Sequence, residues 1–246
     1  MELSAFLQLA ESKQTNIFLQ QLVRTPSFFK KPKGIAAQTH AKMIDGILGF
    51  HIAKVERNLE RKHCNYDKMY SSRRNDQYIE HHTWIGLKPQ VLLTPYSDFV
   101  DILNHLPLEQ MTKVVDFGAA YGRLGIVMAA MAGQASFLGY EIVDKRIAEG
   151  MRLYSNLAIE TASIVHQDIT DESFDIPEAD AYFVYDFGNN DDLKIILNKL
   201  LKVAESRSIR LIARGEFLRE IIDSRYPSFR NAHAPIHGKF WTIYQT

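Results

Sequence analysis

The sequence predicts an α/β protein: a doubly wound, mostly parallel sheet that ends in an antiparallel hairpin and is preceded by a helical segment. Three observations carry this. First, Val114-Val115-Asp116-Phe117-Gly118-Ala119-Ala120-Tyr121-Gly122-Arg123-Leu124-Gly125 is an apolar run ending in an acid, then two glycines four apart, then the helical spacing of Leu124, Val127, Met128 and Met131. That is strand, tight turn and helix. Glycine has no Cβ and tolerates positive φ, so backbone at such a turn can approach a ligand closely, and the helix N-terminus beyond it offers N–H groups. Second, from Lys113 onward apolar runs alternate with helical patterns, which is how a parallel sheet with crossover helices is written. Third, the last two apolar runs, 229–233 and 240–244, have no helix-length spacer between them and predict an antiparallel pair.

Taken in order, Leu3, Phe6, Leu7 and Ala10 have helical spacing, and Ile17, Phe18, Leu22 and Val23 repeat it until Pro26 stops the pattern. The segment Phe28-Phe29-Lys30-Lys31-Pro32-Lys33-Gly34 reads as a basic loop. A single helix is predicted across Met43, Ile44, Ile47, Leu48, Ile52, Val55 and Leu59. Residues 1–90 are therefore assigned to a helical N-terminal cap on the substrate side, and 91–246 to the α/β domain. Thr94-Pro95 forces a non-helical turn, and Ser97 or Asp98 can cap the helix whose apolar face is Phe99, Ile102, Leu103 and Leu106. Strands are then expected at 113–117, 136–140, 162–166, 181–185 and 209–213, with helices at 123–132, 144–157, 191–204 and 216–224. Asn189-Asn190 reads as a cap for the helix that opens at Asp191.

Composition bounds the function. The chain of 246 residues is 46% hydrophobic and 11% aromatic, enough for one sizeable α/β domain plus an accessory segment and unlike a disordered chain. The formal net charge of +0 gives no global polyanion signature. The distribution is uneven, with 13 basic and 4 acidic residues from Lys13 to Arg74. A solvated basic surface explains this front, and an anionic partner such as RNA is the less favoured explanation. Cys64 is the only cysteine, so no intrachain disulfide forms and a reducing compartment is expected. The first residues lack the flank and apolar core of a secretion signal, and no run approaches the roughly 20 apolar residues of a membrane span. The expected location is cytoplasmic, without membrane contact. His81-His82 do not share a helix face and have no suitably spaced partner, so no metal site is expected.

The chemistry lies at the strand ends, where ligands bind in open α/β sheets. Four acids occupy successive strand ends: Asp116, Glu141, Asp168 and Asp186. Glu141 follows Gly118 by 23 residues, close to the spacing of about 20 at which a carboxylate accepts hydrogen bonds from a ribose diol. The turn is neither G-x-G-x-x-G nor a P-loop, which disfavours a dinucleotide and ATP. A ligand with an adenosine, an amino-acid end and no phosphates fits better, and acids suit both its ammonium and its sulfonium.

Asp116-Phe117-Gly118-Ala119-Ala120-Tyr121-Gly122 resembles motif I of class I S-adenosylmethionine-dependent methyltransferases. The resemblance covers roughly residues 96–246 and implies a seven-stranded Rossmann-like sheet with the terminal hairpin. It implies that Asp116, Gly118, Ala119 and Gly122 form the cofactor turn, with Gly118 and Gly122 approaching the methionine moiety. Glu141 would hold the ribose, with Ile142 against the adenine, and Asp168 would accept the adenine amino group with Ile169 beside it. Asp186 would open the loop facing methyl and substrate, and Phe187 would stack on the adenine or wall the channel. A finer similarity, through Gly122-Arg123-Leu124, Gly139-Tyr140-Glu141 and Thr94-Pro95-Tyr96, is to non-SET protein lysine methyltransferases. The loop Tyr185-Asp186-Phe187-Gly188-Asn189-Asn190 departs from the patterns of both amino-methylating nucleic-acid enzymes and many lysine enzymes. The expectation is methyl transfer to a protein lysine, with Asp186 and Tyr96 as catalytic candidates. RNA or small-molecule methylation and non-catalytic binding of an adenosine ligand are the alternatives.

Overall fold

The computed structural model describes Phe6, Gln8, residues 15–70, Ile85, and residues 88–185 and 187–246, with backbone alone at 62–70 and 89–90. Seven strands are present: β1 (Lys113–Phe117), β2 (Ser136–Glu141), β3 (Ala162–His166), β4 (Ala181–Tyr185), β5 (Arg210–Arg214), β6 (Ile236–His237) and β7 (Trp241–Gln245). Their spatial order is β3–β2–β1–β4–β5–β7–β6. Pairing is parallel from β3 through β5, and β7 runs antiparallel to both β5 and β6. The order reverses at β1, where Asp116 lies between Gly139 of β2 and Phe183 of β4. That reversal opens a crevice beyond the carboxyl ends of β1 and β4.

The helices are α1 (Asn16–Leu22), α2 (Ala37–Leu48), α3 (Ile52–Tyr70), α4 (Pro89–Leu92), α5 (Tyr96–Leu103), α6 (Arg123–Met131), α7 (Asp144–Asn156), α8 (Asn190–Ser206), α9 (Glu216–Arg225) and α10 (Pro227–Asn231). Successive strand residues face opposite sides of a sheet, and β1 shows this directly. Val114 joins a core with α5, α6 and α7, whereas Val115 and Phe117 join the core beneath α8, α9 and α10. The first core also holds Phe28, Phe29, Ile44 and Ile47, so the N-terminal helices complete one face of the sheet. No helix among the described residues is long and apolar enough to cross a membrane.

Several local expectations need correction. The helix expected across 43–59 is two helices, because Gly49 takes a left-handed conformation (φ 80°) and the Phe50 N–H closes onto the Asp45 carbonyl at 2.8 Å. The apolar spacing carries across this break, so the sequence reads as one helix. The segment expected as a basic loop from Phe28 starts within a short 3₁₀ turn, Pro26–Phe29, whose Phe28 and Phe29 are fully buried. Residues 229–231 of the strand expected at 229–233 instead belong to α10. Pro227 occupies the first helical position, where its missing N–H costs nothing, and the hairpin strand is only Ile236–His237. Helix α5 begins at Tyr96, and neither Ser97 nor Asp98 caps it; Asp98 pairs with Arg214 at 3.0 Å. Asn189 does cap α8, accepting the Asp191 and Asp192 N–H groups while Asp192 accepts the Asn189 N–H. The helical spacing at 3–10 lies outside the described residues except for Phe6, which is buried, and Gln8.

Candidate functional site

The turn after β1 is held open by backbone that only small residues accept readily. Gly118, Ala120 and Gly122 all have positive φ, at 80°, 49° and 71°. The Gly118 and Ala119 N–H groups both donate to the Tyr140 carbonyl, at 3.0 and 2.8 Å. This ties the turn to the end of β2. The next N–H, from Ala120, donates to Glu141 Oε2 at 2.9 Å, and Glu141 Oε1 accepts from Ile142 and Val143 at 3.0 and 2.9 Å. A carboxylate offers roughly four lone-pair positions, so one on Oε2 is left for a ligand. At the end of β3, Asp168 Oδ1 accepts the Thr170 N–H at 2.9 Å and its hydroxyl at 2.6 Å, which leaves Oδ2.

These carboxylates line one cleft of about 660 Å³, its open mouth included, together with Gly118, Ile142, Ile169 and Phe187. A second cleft of about 320 Å³ shares Gly118, Ala120, Leu92 and Tyr185 with the first, and is lined further by Asp116, Ala119 and Arg123. Asp116 is almost wholly buried, and desolvation together with the charge of Glu141 pushes its carboxyl well above the usual carboxylate range. A Cβ on Gly118 would find only Phe187, at 3.7 Å, so this glycine borders the first cleft beside that ring.

Gly118, Glu141, Ile142, Asp168, Ile169 and Phe187 are thus brought together, and Asp116 and Ala119 lie in the adjoining cleft. Gly122 lines neither. Its carbonyl accepts the Tyr154 hydroxyl at 2.6 Å, and a Cβ there would collide with that hydroxyl and with Ile164. Gly122 packs inward instead of approaching a ligand. Tyr96 is also elsewhere. It is fully buried, stacked on Phe29 with centroids 5.5 Å apart, and donates its hydroxyl to Asp45 at 2.9 Å. Burial and the Asp45 charge raise its phenol well above the ordinary value, and it lines neither cleft. Asp186, Cys64, His81 and His82 lie outside the residues whose side chains are described.

Sequence reasoning missed the supports. Arg123 pairs with Asp45 of α2 and donates to the Thr94 carbonyl at 3.1 Å. Arg146, on the first turn of α7, lines the larger cleft and pairs with Glu56 of α3 through Nε at 2.9 Å and Nη2 at 3.2 Å. Glu56 also accepts the Tyr121 hydroxyl at 2.7 Å. Nothing in local spacing announces partners so far apart in the chain.

No protein-family model matches the sequence, and no curated protein matches it. Among solved structures the chain is similar to a SAM-dependent methyltransferase from Aquifex aeolicus, with 13% identity and a TM-score of 0.45 over 65% of this chain and 92% of that one. It is similar to NcsB1, an O-methyltransferase from neocarzinostatin biosynthesis in complex with S-adenosylmethionine and 2-hydroxy-5-methyl naphthoic acid, with 14% identity and a TM-score of 0.46 over 58% and 51%. It also matches two StiE O-MT chains, at 17% and 15% identity and TM-scores of 0.40 and 0.42 over 46% and 49% of this chain. The chain spans less than half the length of those two, 40% and 44%. Likeness at this level says nothing of activity. The fold is read from the strand order, and function has to be read from the clefts.

Proposed function

We propose that the larger cleft binds S-adenosylmethionine and that the protein transfers its methyl group to an acceptor. The carrying observation is that Glu141 and Asp168, each with carboxylate capacity to spare, line one cleft with the Gly118 turn and the apolar Ile142, Ile169 and Phe187. These residues fit the ligand. Glu141 Oε2 would accept a ribose hydroxyl, and Asp168 would accept the exocyclic amine of the base. Ile142 and Ile169 would flank the base, and Phe187 would wall the side beside Gly118. Asp116 would favour the cationic end from the adjoining cleft. When bound, the cofactor supplies a methyl group on a sulfonium. The protein's part is to align the acceptor, which is worth much of the rate in such transfers.

For the acceptor, the sequence resemblance points to a protein lysine, which must lose a proton before it reacts. Asp186, between Tyr185 and Phe187 in the sequence, is the residue we propose for that task; Tyr96 is not part of the proposal. RNA and small-molecule acceptors are separated from a protein by incubating cell extract with methyl-labelled cofactor and resolving the labelled species by size. If no species is labelled while the cofactor binds, a binding protein replaces the enzyme in this proposal.

The cofactor is tested by titration calorimetry. S-adenosylmethionine and its demethylated product should bind and NAD should not; tight NAD binding overturns the assignment. Glu141→Ala should weaken binding by about 1.5–3 kcal/mol, the range for a hydrogen bond to a charged group.

A further inference from the structure

Arg146 is a cation set among acids. Its side chain is 3% exposed, and it lines the larger cleft with Glu141 and Asp168. Glu141 is close enough for its charge to favour the charged form of Arg146. Yet the edge formed by Nε and Nη2 is turned to Glu56, on α3, which is itself buried. Two parallel charge-assisted hydrogen bonds of this kind add both energy and geometric specificity. Glu56 is fixed in turn by the Tyr121 hydroxyl, from the turn that follows β1. A residue of the N-terminal segment thus holds the cation of the cleft.

We infer that Glu56 is a positioning residue: by pairing with Arg146 it keeps that guanidinium off Glu141 and leaves the Glu141 carboxylate open to a ligand's hydroxyls. Taking away the carboxylate that faces a buried guanidinium is strongly unfavourable. Without the Glu56 charge, Arg146 turns to Glu141. There it competes with the Ala120 N–H for Oε2 and fills the acceptor position that the cleft keeps free. The device is negative in sign. Glu56 touches no ligand, and its effect passes through a cation that would otherwise block the site.

Only the binding half of the test rests on the cofactor proposal. The variants are Glu56→Gln, which keeps the shape and the Tyr121 contact, and Glu56→Gln with Arg146→Met, which removes the competing cation as well. Each is titrated with S-adenosylhomocysteine, and amide exchange at Ala120 is followed without ligand. Glu56→Gln should bind about ten-fold or more weakly, the scale of one lost charged hydrogen bond, and Ala120 should exchange faster. The double variant should recover both towards wild type. A Glu56 that merely holds α3 in place gives the opposite, a double variant as poor as the single one or worse. That result overturns the inference, as does a Glu56→Gln protein with wild-type affinity and exchange. Should Glu56→Gln not fold, Glu56→Asp, which keeps the charge but loses one methylene of reach, is read in its place against Glu56→Asp with Arg146→Met. Failure of the wild type to bind S-adenosylhomocysteine removes the cofactor proposal, and exchange at Ala120 alone then decides the role of Glu56.

Discussion

Asp116 is a carboxyl held where ionisation is costly. It is buried beside Glu141, and both facts raise its pKa in the folded protein. An unfolded chain releases this proton at ordinary carboxylate pH while the folded one keeps it, so folding loses stability as pH rises past that range. Asp116→Asn removes the loss. It should melt higher than wild type at neutral pH, with the advantage shrinking towards acid, as thermal melts across a pH series will show. The same substitution should weaken S-adenosylmethionine, a net cation, more than its neutral demethylated product. Wild-type affinity for the cation should rise with pH as Asp116 ionises, and that slope should vanish in Asp116→Asn. Loss of stability at every pH would make Asp116 an ordinary structural acid. At this scale the sequence is legible where a side chain's place follows from its strand position: Glu141, Asp168 and their isoleucine neighbours line one cleft. It is not legible where a side chain is claimed by a distant partner. Tyr96 is a catalytic candidate in the sequence, but Asp45 and Phe29 take it into the core.

Among the elements, the turn after β1 divides its glycines between two tasks. In the sequence Gly118 and Gly122 look like one motif. In the fold Gly118 borders the cleft beside Phe187, whereas Gly122 forms the N-cap of α6 and fits against Tyr154. Gly122→Ala should cost roughly 3 kcal/mol in denaturant melts, combining left-handed strain with overpacking. Gly118→Ala should cost about 1–2 kcal/mol from strain alone, since its neighbour is at ordinary contact distance. A Gly122→Ala protein as stable as wild type would mean that Tyr154 can yield. The strands of the parallel sheet fall within a residue of their expected limits, because fully buried apolar runs bounded by acids and glycines leave little latitude. What is not legible is a break without a break in pattern: Gly49 interrupts a continuous apolar stripe, and the helical turn that starts at Pro227 runs into what reads as a strand.

For the whole molecule, the division at residue 90 is a proposal about organisation that the shared core qualifies. Phe28, Phe29, Ile44 and Ile47 pack in the same cluster as Tyr121, Leu124 and Phe137. A chain beginning at residue 91 would expose that face. We expect it to lose its near-ultraviolet circular dichroism and bind hydrophobic dyes, while the full chain unfolds in one transition. A truncated protein with native spectra and cofactor affinity would make the front a passenger. The general doubly wound plan was legible because alternation of runs is a local property of the chain. The joining of the front to the site was not, because Asp45 meets Arg123 across 78 residues and Glu56 meets Arg146 across 90. Those separations also set an order of events. On a ribosome the N-terminal helices emerge first, but the arginines that neutralise their buried acids are made much later. Asp45 and Glu56 must therefore wait in water without those partners until α6 and α7 have left the exit tunnel. The segment made first thus waits for parts of the chain made much later, and its apolar stripes stay open to chaperones throughout that interval.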